Sequence, residues 1–502
     1  MRLLVWIAAV ISVAAVLVLC WRLLHGFDFT DESFYIALPY RFALGDQPFV
    51  DELNSSQNAG LLLYPFVKLY LLVVGTPTGI FLFVRALWVV FFGLVGWSAY
   101  GLARLCIPRP AALLVGTLCM LFLPLSIPGL SYNTISMGLL AAGMFVLARE
   151  LVAPGPSRRF WRTPMFWAGL LHGAAVFAYP SLLVAVMAVA VAIAALTAQR
   201  RIRAVAAYAA GGATVGALVA PLLIRAGATH LREMVDYASG FGTEIDLATL
   251  WSRIVEFGEL HPELPVALIA VLVPVVLVNR LPLLAAVAAA ALPLFAARST
   301  VLVGYLASLG FIACFALFGL PLAARLRERR PTIVIVFTVL VPSLLAAAAV
   351  CMTSSNRSIS AGVGLYPAAI ATAIVSTMFI AQAVSRARWP VLHGYFALAP
   401  AVALAVLISF LTADAAYYRD GPRSAMTERV TYGPCLGLYT TPEHADKLDA
   451  LTRDIRAYRR GAPRALFFYD LPLAYLIANR RPLVGSSWIF AGWPKHTHDI
   501  ER

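Results

Sequence analysis

The chain has 502 residues, 61% of them hydrophobic and 13% charged, and a formal net charge of +14. Soluble domains are about 45–50% apolar and about 25% charged. This chain has too little polar surface to cover a water-soluble globule, which excludes a cytosolic enzyme, a disordered scaffold and a secreted disulfide protein.

Apolar runs longer than about 18 residues mark membrane-spanning helices, whereas barrel strands alternate over about 10 residues. The expected fold class is therefore an all-α polytopic membrane protein with about thirteen transmembrane helices. In chain order they fall near 3–24, 79–103, 110–127, 132–150, 165–180, 181–198, 204–225, 264–279, 281–297, 300–323, 332–351, 361–384 and 391–413. The first run, Leu3 to Leu24, is too long for a signal h-region and has no small-residue cleavage site, so it reads as a retained span. Pro180 splits an apolar stretch into a helical hairpin.

The run Ala59 to Gly75 is expected to lie in the outer interface rather than to span. Counting it as a span would place Arg104–Arg109, Arg158–Arg162, Arg200–Arg203 and Arg325–Arg330 opposite the N-terminus. Basic loops face the cytoplasm instead. A spanning run would also set Lys68 near mid-bilayer, at a cost of about 2.5–3.5 kcal/mol. The positive charge comes from 36 Arg and 3 Lys, many of them in short loops, so it sets topology and implies no nucleic-acid partner. This reading puts the protein in the inner (plasma) membrane with a cytoplasmic N-terminus.

Four segments then face outward: 25–78, 226–262, 352–360 and everything from Asp414 onward. Residues 1–413 form the transmembrane domain, with the active site expected in the outer loop 25–78; residues 414–502 form an extracytoplasmic α/β domain. There, Thr441-Pro442-Glu443 opens a helix that Gly461 can end, Ala465 to Tyr469 reads as a buried strand, and Asp470-Leu-Pro begins a second helix. Five of the six cysteines lie in or at the edge of apolar runs, and no metal-type spacing occurs. In the second outer segment, His230, Glu233, Asp236, Glu244 and Asp246 match no zinc motif. His172, inside a span, reads as an interhelical hydrogen-bonding residue.

The sharpest chemical feature is Phe29-Thr30-Asp31-Glu32-Ser33-Phe34-Tyr35, just outside the first span. Thr30 can cap a helix whose first turn holds both acids, an arrangement the helix macrodipole favours by itself. A carboxylate beside lipid also accepts a proton more readily than one in bulk water, which suits a general base or a cation ligand.

An Asp-Glu pair directly after the first span resembles the signature of the C-type (GT-C fold) membrane glycosyltransferases, which include the protein O-mannosyltransferases and the lipid A aminoarabinose transferases. A long helical first outer loop, an apolar interfacial helix with Pro65 and Gly75, Arg85 in the next span and an outer α/β C-terminal region are similar too. The resemblance implies transfer of a sugar from a polyprenyl-phosphate donor to a cell-envelope acceptor on the outer face, with inversion. Asp31 and Glu32 are then the catalytic pair, Asp31 in the position of the catalytic acid.

Positive or polar groups must hold the leaving phosphate. Arg85, Arg357 in the loop Thr353-Ser-Ser-Asn-Arg357-Ser, and Arg41 are the expected cations. Gln57, Tyr64 and Asn133 are expected to touch donor or sugar. Gln57 stands near the place of a lysine in the aminoarabinose transferases and Asn133 near that of an aspartate, so the resemblance points to another sugar. A divalent cation is a possible cofactor, with Asp31, Glu32, Asp51 and Glu52 as oxygen ligands.

Two other functions are compatible with a polytopic protein. A transporter or flippase of lipid-linked saccharides needs polar residues deep in several spans and broken mid-bilayer helices, of which this sequence has few. A non-catalytic assembly factor requires no distinguishing residues.

Overall fold

The computed structural model describes residues 2–121, 127–155, 160–197, 201–239, 318–326, 329–353, 363–386, 417, 419–458, 463–468 and 470–488, with shorter pieces between 248 and 289. Helices dominate it. Seven described helices are long and apolar enough to cross a membrane: Arg2–Arg22, Gln57–Val74, Ile80–Cys106, Tyr132–Val152, Arg201–Tyr237, Arg330–Thr353 and Leu365–Ser385. Shorter apolar helices cover Arg109–Leu121, Pro164–Ala178 and Pro180–Leu196. The chain is a helical membrane protein. The expected spans at 264–279, 281–297, 300–323 and 391–413 lie largely or wholly outside the described residues.

Helix α1 (Arg2–Arg22) contains no glycine or proline, and its buried positions Ala8, Ser12, Ala15 and Leu19 recur at helical spacing. That narrow face meets α5 (Arg109–Leu121), where the Thr117 hydroxyl donates to Ser12 Oγ at 2.8 Å. The remaining faces of α1, including Leu3, Trp6, Val10 and Leu17, are exposed apolar surface suited to lipid. Between α2 (Asp31–Ala43) and α4 (Ile80–Cys106) runs α3 (Gln57–Val74). Helix α4 packs on α5 at Gly96 and Gly116, where a Cβ on Gly96 would meet the Gly116 carbonyl oxygen at 2.5 Å. Small residues let membrane helices approach this closely, and van der Waals contact then holds them.

Helix α6 (Tyr132–Val152) starts at a capping box: Thr134 N–H donates to the Ser131 hydroxyl and Ser131 N–H to Thr134 Oγ. Helices α7 (Pro164–Ala178) and α8 (Leu183–Leu196) are separated at Tyr179-Pro180, the break expected from the proline. Helix α9 (Arg201–Ser239) runs further than the expected span, because Gly227 (φ 77°, ψ 166°) bends the chain and helix resumes beyond it. The start of the segment expected over 226–262 is therefore helical. His172 on α7 is fully buried, with Nδ1 2.6 Å from the Tyr208 hydroxyl of α9 and Nε2 3.1 Å from the Leu140 carbonyl of α6.

Beyond residue 416, a helix covers Pro442–Tyr458, opened by Thr441, and another covers Pro472–Ala478. Within the described part of the expected strand, 465–468, ladder pairing is confined to Ala465, which with Arg464 pairs in parallel with Arg481–Pro482. Pro482 has no N–H to extend the ladder, and Phe468 is 50% exposed rather than buried. Glu428–Arg429 and Tyr439–Thr440 form an antiparallel pair.

Two contacts fasten this region to the loop after α1. Gly26 N–H donates to the Tyr439 carbonyl and Tyr439 N–H to the Leu24 carbonyl, each at 2.7 Å. Gly26 has φ +78°, and a Cβ there would lie 2.2 Å from the Tyr417 ring, so only glycine serves.

Candidate active site

Helix α2 is enclosed: every residue from Glu32 to Ala43 is buried, and Asp31 alone in the helix stays partly accessible. The helix start is built by a residue that the sequence reading passed over. Asp28 Oδ2 accepts the Asp31 N–H at 2.6 Å and the Thr30 hydroxyl at 2.8 Å. The expected cap, Thr30, makes no side-chain capping bond; its hydroxyl donates toward Asp28 rather than accepting from the helix. Asp28 is 1% exposed, and burial, reinforced by the neighbouring charge of Asp31, pushes its carboxyl up to about 6.

The two adjacent acids part company. Glu32 is 1% exposed and takes two bonds from Arg85: Nε to Oε1 and Nη2 to Oε2, each 2.7 Å. Arg85 is 1% exposed as well and donates to the carbonyls of Leu23 and Gly26. Tyr417 closes the pair by donating its hydroxyl to Glu32 Oε2. Burial and then the Glu32 charge raise the Tyr417 phenol well above its usual range, so it stays a donor. Arg85, expected as a phosphate ligand, is spent on Glu32 and two carbonyls.

Asp31 sits differently. Its side chain is 13% exposed, with Oδ2 3.9 Å from Arg419 Nη1 and 3.2 Å from the Thr30 hydroxyl, and Oδ1 3.4 Å from the Tyr35 hydroxyl. Aromatic rings gather beside it. Tyr35 meets Tyr132 edge-on at 5.5 Å, and Phe34 meets Trp488 at 4.7 Å. Trp488 donates from its indole to Asp470 Oδ1 at 2.8 Å. Burial raises the Asp470 carboxyl, against the opposing pull of the Trp488 hydrogen bond and the Arg419 charge.

The other expected residues scatter. Arg41 is 1% exposed and bonds Asp46 Oδ2 at 2.7 Å, Glu52 Oε2 and the Asp51 carbonyl, so it faces carboxylates rather than a donor phosphate. Gln57 is fully buried; its amide spans the Glu52 carbonyl (2.7 Å) and the Phe49 N–H (2.8 Å). Tyr64 is a partly buried residue of α3 packed on the core. Asn133 is partly buried next to Tyr132, on the α6 side of Asp31. Arg357, Glu244 and Asp246 lie outside the described residues.

Among the described residues no three His, Cys, Asp or Glu side chains gather as a metal site. Glu32 and Glu52, two of the four proposed oxygen ligands, each face an arginine.

Arg419, Tyr417, Asp470 and Trp488 carry no local signal in the sequence, since Arg419 meets Thr30 across 389 positions. Asp28 carries only a general signal: Asp side chains just before a helix readily accept backbone N–H groups a few residues on, as Asp28 does from Asp31. Comparison with protein-family models, curated proteins and solved structures finds no match to this chain.

Proposed function

We propose that this protein is an integral-membrane glycosyltransferase that moves a sugar from a polyprenyl-phosphate donor to a cell-envelope acceptor on the outer face, with Asp31 as general base. The carrying observation is the unlike fate of two neighbouring acids: Glu32 is sealed against Arg85, while Asp31 remains accessible beside a partly exposed arginine. In the reaction, the acceptor oxygen attacks the anomeric carbon and passes its proton to Asp31. The bond between that carbon and the phosphate oxygen breaks, and the lipid phosphate leaves with the electron pair. One displacement inverts the anomeric centre, with no glycosyl-enzyme intermediate.

Glu32 and Arg85 act as positioning residues, fixing the first turn of α2 so that Asp31 faces outward. Within this proposal the chain has about thirteen spans, a cytoplasmic N-terminus and a small outer α/β domain, and a divalent cation, if one is used, would take an oxygen ligand from Asp31. The test is Asp31→Asn in proteoliposomes supplied with a panel of radiolabelled polyprenyl-phosphate sugars and envelope extract. We expect normal insertion and melting, with transfer lowered by about 100–10,000-fold. Undiminished transfer by this variant overturns the assignment of the base.

A further inference from the structure

One face of α1 carries Trp6, Val10, Val13, Leu17, Trp21 and, just past the helix, Leu24, all exposed and recurring every three or four residues. At about 1.5 Å per residue this apolar stripe runs about 27 Å, close to the hydrocarbon thickness of a bilayer, about 30 Å. A tryptophan stands near each end, the residue favoured at the two membrane–water boundaries. Trp21 and Leu24 therefore mark a level at which lipid headgroups begin.

The C-terminal segment meets the helices at that level. Tyr439 N–H donates to the Leu24 carbonyl at 2.7 Å, and Gly79 N–H, at the start of α4, donates to the Gly433 carbonyl at 3.0 Å. A short 3-10 turn, Arg423–Ala425, sets the Arg423 guanidinium over the Trp21 ring, 4.7 Å from its centre. Ala425 N–H on the Pro422 carbonyl (2.9 Å) and Met426 N–H on the Arg423 carbonyl (3.0 Å) hold that turn, and Met426 is buried. Among the described residues Arg423 pairs with no carboxylate. Asp420, three positions earlier, is sealed and accepts the Phe27 N–H and the Thr440 and Thr441 hydroxyls. Burial, and then the charges of Arg22, Arg423 and Arg85, hold the His25 imidazole below its ordinary range, against the pull of its bond to the Trp21 carbonyl. The field at this end of α1 is positive.

We infer that Arg423 and Trp21 hold the phosphate headgroup of an anionic phospholipid from the surrounding bilayer. The indole positions the guanidinium through its face, and the N–H donors in the guanidinium plane remain for phosphate oxygens. Trp21 and Leu24 offer apolar surface to the glycerol and upper acyl chain of the same lipid. A zwitterionic headgroup carries its own cation into this positive field and is held less well. The bound lipid ties the C-terminal segment to the bilayer where that segment meets α1. This inference does not rest on the glycosyltransferase reading.

The test uses the full chain in a neutral maltoside detergent. Native mass spectrometry reads lipid retention, with phosphatidylglycerol and phosphatidylcholine supplied in equal amounts and with polyprenyl monophosphate and inorganic phosphate as competitors. Arg423→Gln removes the cation, Arg423→Lys keeps the charge, and Trp21→Leu keeps an apolar surface without the ring. We expect the wild type to retain phosphatidylglycerol in preference to phosphatidylcholine. That preference should fall about fivefold in Arg423→Gln, persist for the most part in Arg423→Lys and weaken in Trp21→Leu. Melting without added lipid should be alike in the wild type and Arg423→Gln.

Equal retention of the two phospholipids by the wild type overturns the inference, as does an unchanged preference in Arg423→Gln. Should Arg423→Gln melt well below the wild type, Trp21→Leu decides, and an unchanged preference there overturns the site. Inorganic phosphate that competes as well as phosphatidylglycerol overturns the assignment to a lipid. Polyprenyl monophosphate that displaces phosphatidylglycerol from the wild type at far lower concentration, with the same dependence on Arg423, overturns the assignment to a phospholipid of the bilayer.

Discussion

Arg85 and Glu32, 53 positions apart, meet as a two-bond pair with both side chains 1% exposed. Glu32 lies in the first turn of α2 and Arg85 in α4, so the pair pins α2 to a long apolar helix. Breaking a buried ion pair strands the survivor, at about 3–5 kcal/mol. We expect Arg85→Met to lower the melting midpoint markedly, and the double variant Arg85→Met/Glu32→Gln to recover much of the loss. Thermal melting in detergent reads both. A single variant as stable as the wild type would show that the pair does not hold α2.

Asp28 sets a pH dependence with a defined sign. Its carboxyl rises from 3.8 to about 6 on folding. The folded chain keeps a proton that the unfolded chain releases, so stability falls as pH climbs from about 4 to about 6. The penalty at neutral pH is about 3 kcal/mol at most. Asparagine preserves the acceptor for the Asp31 N–H. Asp28→Asn should therefore be more stable than wild type at pH 7.5 relative to pH 4.5, measured as the change in melting midpoint between the two. Parallel shifts in both proteins would remove Asp28 as the cause.

Asp46 links the segment between α2 and α3 to the C-terminal region. One oxygen takes Arg41 Nε at 2.7 Å; the other lies 3.3 Å from Arg464 and 3.5 Å from Arg481. The last two arginines are about 30% exposed, so solvent screens their share. The buried Arg41 contact carries most of the effect. Asp46→Asn should cost about 1–3 kcal/mol, chiefly through the Arg41 contact, and should speed limited proteolysis of 417–488 only modestly. Digestion at the wild-type rate would show that the C-terminal region is held by other contacts.

Gly169 and Gly211 bring α7 and α9 into backbone contact. A Cβ on Gly169 would lie 1.9 Å from the Tyr208 carbonyl oxygen, and one on Gly211 2.0 Å from that of Phe166. Gly216, on the same α9, has nothing within 4 Å of its Cβ position. Gly169→Ala should lower the melting midpoint by separating the helices, whereas Gly216→Ala should leave it unchanged or raise it slightly. The contrast between the two is the measurement, and equal effects would contradict the close packing.

The helical membrane class, the break at Pro180, the helix opened by Thr441 and the acid pair at Asp31 and Glu32 are all readable along the chain. Each depends on neighbours within about 20 residues: summed hydropathy, a proline, a cap, a charge beside a span. What separates Asp31 from Glu32 is not local. Exposure is decided by what packs over each carboxyl, and here the covering groups are Arg85 from α4 and Tyr417 beyond the last described spanning helix. The same cause turned Arg85 and Arg41 from expected phosphate ligands into sealed partners of carboxylates, and made Gln57 a backbone brace. It also brought Arg419 and Trp488 to α2 from the far end of the sequence. Residue type alone names the groups able to carry charge. Only the docking of the C-terminal segment, through Gly26 and Tyr439, decides which of those charges are buried in pairs and which lie nearer the surface.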